Sequence, residues 1–194
     1  MRNWKVFALV ILTIAAGAFF VGRSSNTEKE KKAGANTAVV NAAAVVKRGT
    51  EVGNLAPEFQ LAKLDGATLS LDDLRGQPSV LVFWASWCQF CREEAPHVNK
   101  LADEYSTRGV RVFGVNIRES QARTEAGIKN FGISYTVVRD ADGVTERNYN
   151  VDGIPTVVIL DSEGTIQYVG NGVPSNYSER LDTLLAQKET AEAQ

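Results

Sequence analysis

Histidine and methionine occur once each in this chain of 194 residues, and cysteine only twice. One histidine and one cysteine pair are too few for a zinc site built from two spaced pairs. His97 follows Cys91 by six residues, almost two helical turns, which carries it away from the thiols. No metal and no cofactor is expected. Charge of neither sign is in excess. The 21 basic and 23 acidic side chains leave a net charge of -2, with no basic stripe or finger spacing, so nucleic acid is not an expected partner. No segment repeats internally. The two cysteines also fall short of a disulfide framework. With two residues between them they close almost no loop and constrain the unfolded chain little, which suits exchange better than stapling.

The pair lies in Trp87-Cys88-Gln89-Phe90-Cys91, directly after the apolar run Ser79-Val80-Leu81-Val82-Phe83-Trp84. Far downstream, Gly153-Ile154-Pro155-Thr156 precedes a second apolar run. At the N-terminus, Arg2 and Lys5 are followed by an uncharged stretch from Val6 to Gly22, and then by Arg23. At about 1.5 Å per residue this stretch spans roughly 26 Å, just enough for a bilayer. Two outcomes fit. Ala16-Gly17-Ala18 has the small-x-small form of a signal-peptide cleavage site. Phe19, Phe20 and Val21 extend the run to spanning length and favour an uncleaved signal anchor over residues 1–23. Both place the remainder across the membrane, with Arg2 and Lys5 on the cytoplasmic side. Residues 24–50, polar and then rich in alanine, asparagine and valine, have little apolar surface to bury and read as a linker. The folded domain is expected over residues 51–190.

Within that domain, alternation at 56–61 and 68–71 around Asp65-Gly66 predicts an N-terminal β-hairpin. Leu71 to Leu74 fits one helical turn stopped by Gly76. The run 79–84 predicts a strand buried on both faces. Cys91, Ala95, Val98, Leu101, Ala102 and Tyr105 then recur at helical spacing, with Pro96 expected to kink the helix and Gly109 to end it. Strands are expected at 110–117, 136–138, 156–160 and 165–169, and helices at 120–131, 144–149 and from Tyr177 onward. A strand–helix–strand crossover followed by a closing hairpin predicts an α/β fold with a mixed central sheet.

Cys88 is expected at the strand-to-helix junction, where its sulfur meets the unpaired N–H groups and positive end of the helix. That environment stabilises a thiolate. Cys91, one turn on, can approach it, and is expected to be the more buried, resolving thiol. The chemistry is a two-step exchange through a mixed disulfide. Glu94 falls on roughly the cysteine face and Glu93 toward solvent. A partly buried Glu94 could carry a proton during exchange.

These residues together resemble a known group. Ala56-Pro57 with Phe59, Leu69 through Gly76, Phe83 through Cys88, Cys91 with Glu94 and Pro96, and Gly153-Ile154-Pro155-Thr156 resemble the ResA/TlpA/DsbE type. These are membrane-anchored, extracytoplasmic thioredoxin-like proteins, and the resemblance spans about residues 51–188. It implies a thioredoxin-like three-layer sandwich with an N-terminal β-hairpin and a central insertion around 118–150. It implies a thiol–disulfide oxidoreductase with Cys88 as nucleophile, Cys91 as resolving cysteine and Glu94 beneath them. Pro155 is the expected cis-proline facing the dithiol, X–Pro bonds being where a cis peptide is tolerable. Trp87, Gln89, Phe90, Ile154 and Pro155 are the expected substrate-facing residues. The implied partners are disulfide-containing or dithiol proteins such as apocytochrome c, and a membrane thiol–disulfide electron donor. The implied place is the extracytoplasmic side of the cell membrane.

Two positions depart from the pattern. Gln89-Phe90 stands where a proline is usual before the second cysteine, and Val82 stands where thioredoxin has a buried aspartate. The first keeps the direction of electron flow open between a reductase and a disulfide-forming oxidase. A binding or metal-delivery module on the same fold is the alternative outside the enzymes. Copper-delivery relatives need a wider cysteine spacing and a distant histidine, and none follows His97.

Overall fold

The computed structural model describes residues 47–193. They belong to the compact unit Ala42–Gln194. The expected signal anchor, and the linker up to residue 46, lie outside the described residues. Among the described residues no helix is long and apolar enough to cross a membrane.

The chain runs β1 (Gln60–Lys63), β2 (Thr68–Ser70), a 3₁₀ turn (Asp72–Leu74), β3 (Ser79–Trp84), α1 (Gln89–Tyr105) and a 3₁₀ turn (Ser106–Arg108). It continues with β4 (Arg111–Ile117), α2 (Gln121–Phe131), β5 (Thr136–Asp140) and α3 (Val144–Asn148). It closes with β6 (Thr156–Leu160), β7 (Ile166–Gly170) and α4 (Tyr177–Glu192). The seven strands form one sheet in the order β2-β1-β5-β4-β3-β6-β7. β3, β4 and β5 are parallel neighbours, whereas β1 and β6 join them antiparallel. The sheet is mixed, as the crossover and final hairpin require.

β3 is central, and all six of its residues are buried. Its alternate side chains feed opposite cores. Leu81 and Phe83 join Phe113, Val115, Val158 and Leu160 on one face, closed by Phe59, Leu74 and Tyr149. Val80 and Val82 join Val157 and Ile159 on the other, where Val98 and Leu101 of α1 and Leu181 of α4 cover them. Val82 therefore does the work of an apolar core residue. Each such side chain, fully buried, contributes on the order of 1.5–3 kcal/mol.

Several boundaries differ from the sequence reading. β1 starts at Gln60 because residues 55–56 are bonded elsewhere: Leu55 N–H donates to Lys47 O and Ala56 N–H to Gly164 O. The same bonds draw residues 47 and 48 into the domain, ahead of the expected start at 51. β5 runs on to Asp140, since its register with β4 continues through Ile117. Pro96 sits inside one continuous helical span, Gln89–Tyr105.

Candidate active site

β3 ends at Trp84, and the chain turns through Ala85-Ser86-Trp87 into α1. Cys88 N–H donates to Ala85 O at 3.1 Å and closes that turn. Cys88 is the N-cap of α1, in extended backbone conformation, and its Sγ accepts the N–H of Cys91 at 3.0 Å. The sulfur occupies the place that Ser or Asp takes in ordinary caps, so helix-end N–H groups face it. A thiolate there is stabilised more than a thiol.

Cys88 and Cys91 are joined as a disulfide, with Cα atoms 5.2 Å apart. Both are buried, at 5% and 4% exposure, so depth does not distinguish them as expected. Access does. Cys88 lines a cleft of about 500 Å³, and Cys91 is not part of its wall. Trp87, Phe90, Ile117, Val151 and Ile154 give this cleft apolar surface, and Arg118, Glu146 and Asp152 give it charge. Trp87 and Phe90 are each 70% exposed, which is unusual for large apolar side chains and leaves apolar area beside the sulfur uncovered. Gln89 also lines the cleft and donates through its amide to Glu93 at 3.1 Å.

The Ile154–Pro155 peptide bond is cis. The carbonyl oxygen of Ile154 lies 3.5 Å from Cys88 Sγ. A polypeptide seated in the cleft would meet this backbone and the sulfur together. Beneath the pair, Cys88, Cys91 and Ala95 pack with Trp84, Phe131 and Val137, and Ile154 and Tyr135 lean against that cluster.

Glu94 is half-buried and points to the loop before α4, where it accepts the Val173 N–H at 2.6 Å. No hydrogen bond joins it to either sulfur. Tyr135 packs against the cluster that holds both cysteines, and its phenol is pushed up by burial and by the Glu94 carboxylate. His97 is exposed and lies 3.3 Å from Glu94 Oε2.

One site residue escaped the sequence reading. Glu119, just beyond β4, is 5% exposed and turns inward. Its Oε2 accepts Ser86 N–H at 2.8 Å, and its Oε1 accepts the Ser86 hydroxyl at 2.6 Å. Asn116 Nδ2 donates to Oε2 at 2.8 Å, and Thr124 donates to Asn116 Oδ1 at 2.6 Å. A charged residue just past a strand ordinarily faces water. Here Arg118, at φ 53°, takes a left-handed turn and itself pairs with Glu146 at 2.5 Å. Neither the turn nor its consequence leaves a mark in the sequence.

A helix-capping disulfide beside a cis-proline and an open cleft is an arrangement for dithiol exchange. The family model described as "AhpC/TSA family" matches residues 52–169. The chain belongs to that family. It is similar to "Thiol-disulfide oxidoreductase ResA" of Geobacillus kaustophilus (strain HTA426), with 33% identity over 126 residues, 65% of this chain and 72% of the relative. Among solved structures it is similar to a thiol:disulfide interchange protein of the thioredoxin family from Chlorobium tepidum TLS. The TM-score is 0.57 at 26% identity, covering 67% of this chain and 94% of that one. It is also similar to a secreted Mycobacterium tuberculosis disulfide oxidoreductase homologous to E. coli DsbE. There the TM-score is 0.53 at 28% identity, covering 66% and 95%. The protein is a thiol–disulfide oxidoreductase of the ResA/DsbE type with a thioredoxin-like fold.

Proposed function

We propose that this protein reduces disulfides of exported proteins on the extracytoplasmic side of the cell membrane, held there by residues 1–23. The position of Cys88 carries the reading: its sulfur caps α1 and lines an open cleft, while Cys91 lies behind it. In the reduced protein, Cys88 thiolate attacks one sulfur of a substrate disulfide. A Cys88–substrate bond forms and the other substrate sulfur leaves as thiolate. Cys91 gives up its proton and attacks Cys88 Sγ, forming the Cys88–Cys91 disulfide and releasing the second substrate thiolate. Two electrons pass to the substrate. Glu94 takes the proton from Cys91. Trp87, Gln89, Phe90, Ile154 and Pro155 form the surface that receives the substrate chain.

The reductive direction rests on the similarity to proteins named ResA and on Glu94. Substrates of the apocytochrome c kind, whose paired cysteines must be free thiols before haem attachment, suit it. A membrane thiol–disulfide transporter would return the electrons. A second reading, disulfide formation in exported proteins, is favoured by Gln89-Phe90 between the cysteines, where no proline rigidifies the turn.

Trapping separates the two. Cys91→Ala in the full chain leaves Cys88 unable to resolve a mixed disulfide. Captured apocytochromes support the proposal. Capture of diverse secreted proteins, with no apocytochrome among them, supports the second reading instead.

A further inference from the structure

Glu119 is a buried carboxylate that the exchange steps above do not use. No lysine or arginine pairs with it among the described residues, and its neighbour Arg118 turns away to Glu146. A carboxylate withdrawn from water without a cation is costly, and here hydrogen-bond donors alone offset that cost. Two of its three donors, the N–H and hydroxyl, belong to Ser86. Ser86 is two residues before Cys88, inside the turn that the Cys88 N–H to Ala85 O bond closes.

The clamp is rigid on its far side as well. Asn116, which holds Glu119 Oε2, is fully buried within β4 and is itself held by Thr124 of α2. α2 also presses on Ser86 directly. A Cβ built on Gly127 would stand 2.8 Å from Ser86 Cβ, so the helix backbone abuts the loop there. Ser86 is therefore fixed from β4 through Glu119 and from α2 through Gly127. The left-handed backbone at Arg118 is an unfavourable conformation for a side-chain-bearing residue, and it is what turns Glu119 inward. Strain retained to aim one carboxylate at one loop is hard to explain by packing alone.

We propose that Glu119 is a positioning residue for thiol exchange. It fixes Ser86, and through the Ala85–Cys88 turn it holds Cys88 Sγ against the Cys91 N–H at the end of α1. The proposal rests on Cys88 being the attacking thiol. It follows that the geometry of the acceptor matters and its charge does not. Glutamine can reproduce that geometry. Its oxygen, placed as Oε2, accepts from Ser86 N–H and Asn116 Nδ2, and its amide donates to Ser86 Oγ, whose hydrogen turns away. Alanine reproduces none of it.

The test is the rate at which Cys88 is alkylated in reduced Cys91→Ala protein, together with protein-disulfide reduction in the otherwise unaltered chain. Both are measured well below each variant's unfolding temperature. Glu119→Ala slows both by about tenfold or more, as misplaced reacting groups do, whereas Glu119→Gln stays within about threefold of the parent. Ser86→Ala removes one of the two loop bonds and slows alkylation by an intermediate amount. It serves if Glu119→Ala does not fold. Parental rates in Glu119→Ala, or in Ser86→Ala where only that variant folds, overturn the proposal. So does a Glu119→Gln protein as slow as Glu119→Ala. Cys88→Ser distinguishes the two levels. If it abolishes exchange while Glu119→Ala is unaffected, only the positioning role fails. If exchange survives Cys88→Ser, the reading beneath it fails as well.

Discussion

The Glu94 carboxylate accepts the backbone N–H of Val173 at 2.6 Å and so ties the middle of α1 to the loop before α4. Gly172 permits this approach. Its φ is 100°, and a Cβ there would lie 3.2 Å from Glu94 Cδ. Structure and chemistry at this residue can be separated by substitution. Glu94→Ala leaves a partly buried N–H without its acceptor and destabilises by about 1–3 kcal/mol in urea unfolding. Glu94→Gln keeps an acceptor and is expected to hold stability within about 1 kcal/mol. It nonetheless lowers the rate of protein-disulfide reduction by about a hundredfold, since an amide carries no proton from Cys91. Equal reduction rates in Glu94→Gln and the parent remove Glu94 from the chemistry.

Phe90 is exposed and lines the same cleft as Cys88, where the proposed function has it receive the substrate chain. Phe90→Ala is expected to raise KM for a protein disulfide by about tenfold, the scale of an exposed aromatic anchor. Unfolding should be unchanged, as should reduction of a small-molecule disulfide that does not fill the cleft. A matching loss with the small disulfide would show that Phe90 acts on the cysteines and not on the substrate.

Gly127 tests the seat of the active-site loop from the α2 side. Alanine there would gain about 1 kcal/mol in helix propensity. Its Cβ would meet Ser86 Cβ at 2.8 Å and the Trp84 ring at 2.9 and 3.0 Å. Overpacking of this kind costs about 1–3 kcal/mol, so Gly127→Ala is expected to be less stable than the parent despite the better helix former. A rise in the urea midpoint would show that α2 moves freely away from the loop.

Asp140 predicts a pH dependence. Burial pushes its carboxyl above the ordinary value, although the N–H groups of Glu146 and Thr145 pull the other way. The folded state then keeps this proton to higher pH than the unfolded chain. Stability from this group is complete below the unfolded value of about 3.9 and is lost as pH rises through the raised folded value. Asp140→Asn has no such titration. Urea midpoints of the two proteins, compared upward from acid pH, should show the parent losing ground to the variant across that window. A parent that gains on the variant there has a lowered carboxyl instead.

Much of this fold was readable because its signals are local. The unbroken apolar run of β3, the helical spacing from Cys91 to Tyr105 and the Asp65-Gly66 turn each name an element without reference to the rest of the chain. The dithiol was readable for the same reason, whereas the cis form of Pro155 came through the family resemblance. What escaped depends on contacts across the chain. β1 begins late because residues 55–56 bond to Lys47 and Gly164. Glu119 belongs to the site because Arg118 turns left-handed and because Ser86 waits 33 residues earlier with two free donors. Helical spacing puts Glu94 on roughly the cysteine face of α1, but the partner its carboxylate takes, the Val173 N–H, lies 79 residues away. Equal burial of the two cysteines could not be anticipated either, since it is set by the packing of Trp84 and Phe131 beneath them.

The reduction potential of the Cys88–Cys91 pair tests the central proposal most directly. It can be measured by equilibrating the full chain with a thiol–disulfide buffer and counting free thiols. A protein-disulfide reductase requires a value at or below about -250 mV, and that is the expected result. A value near that of a strong oxidant, about -120 mV, contradicts it and makes the protein a source of disulfides instead.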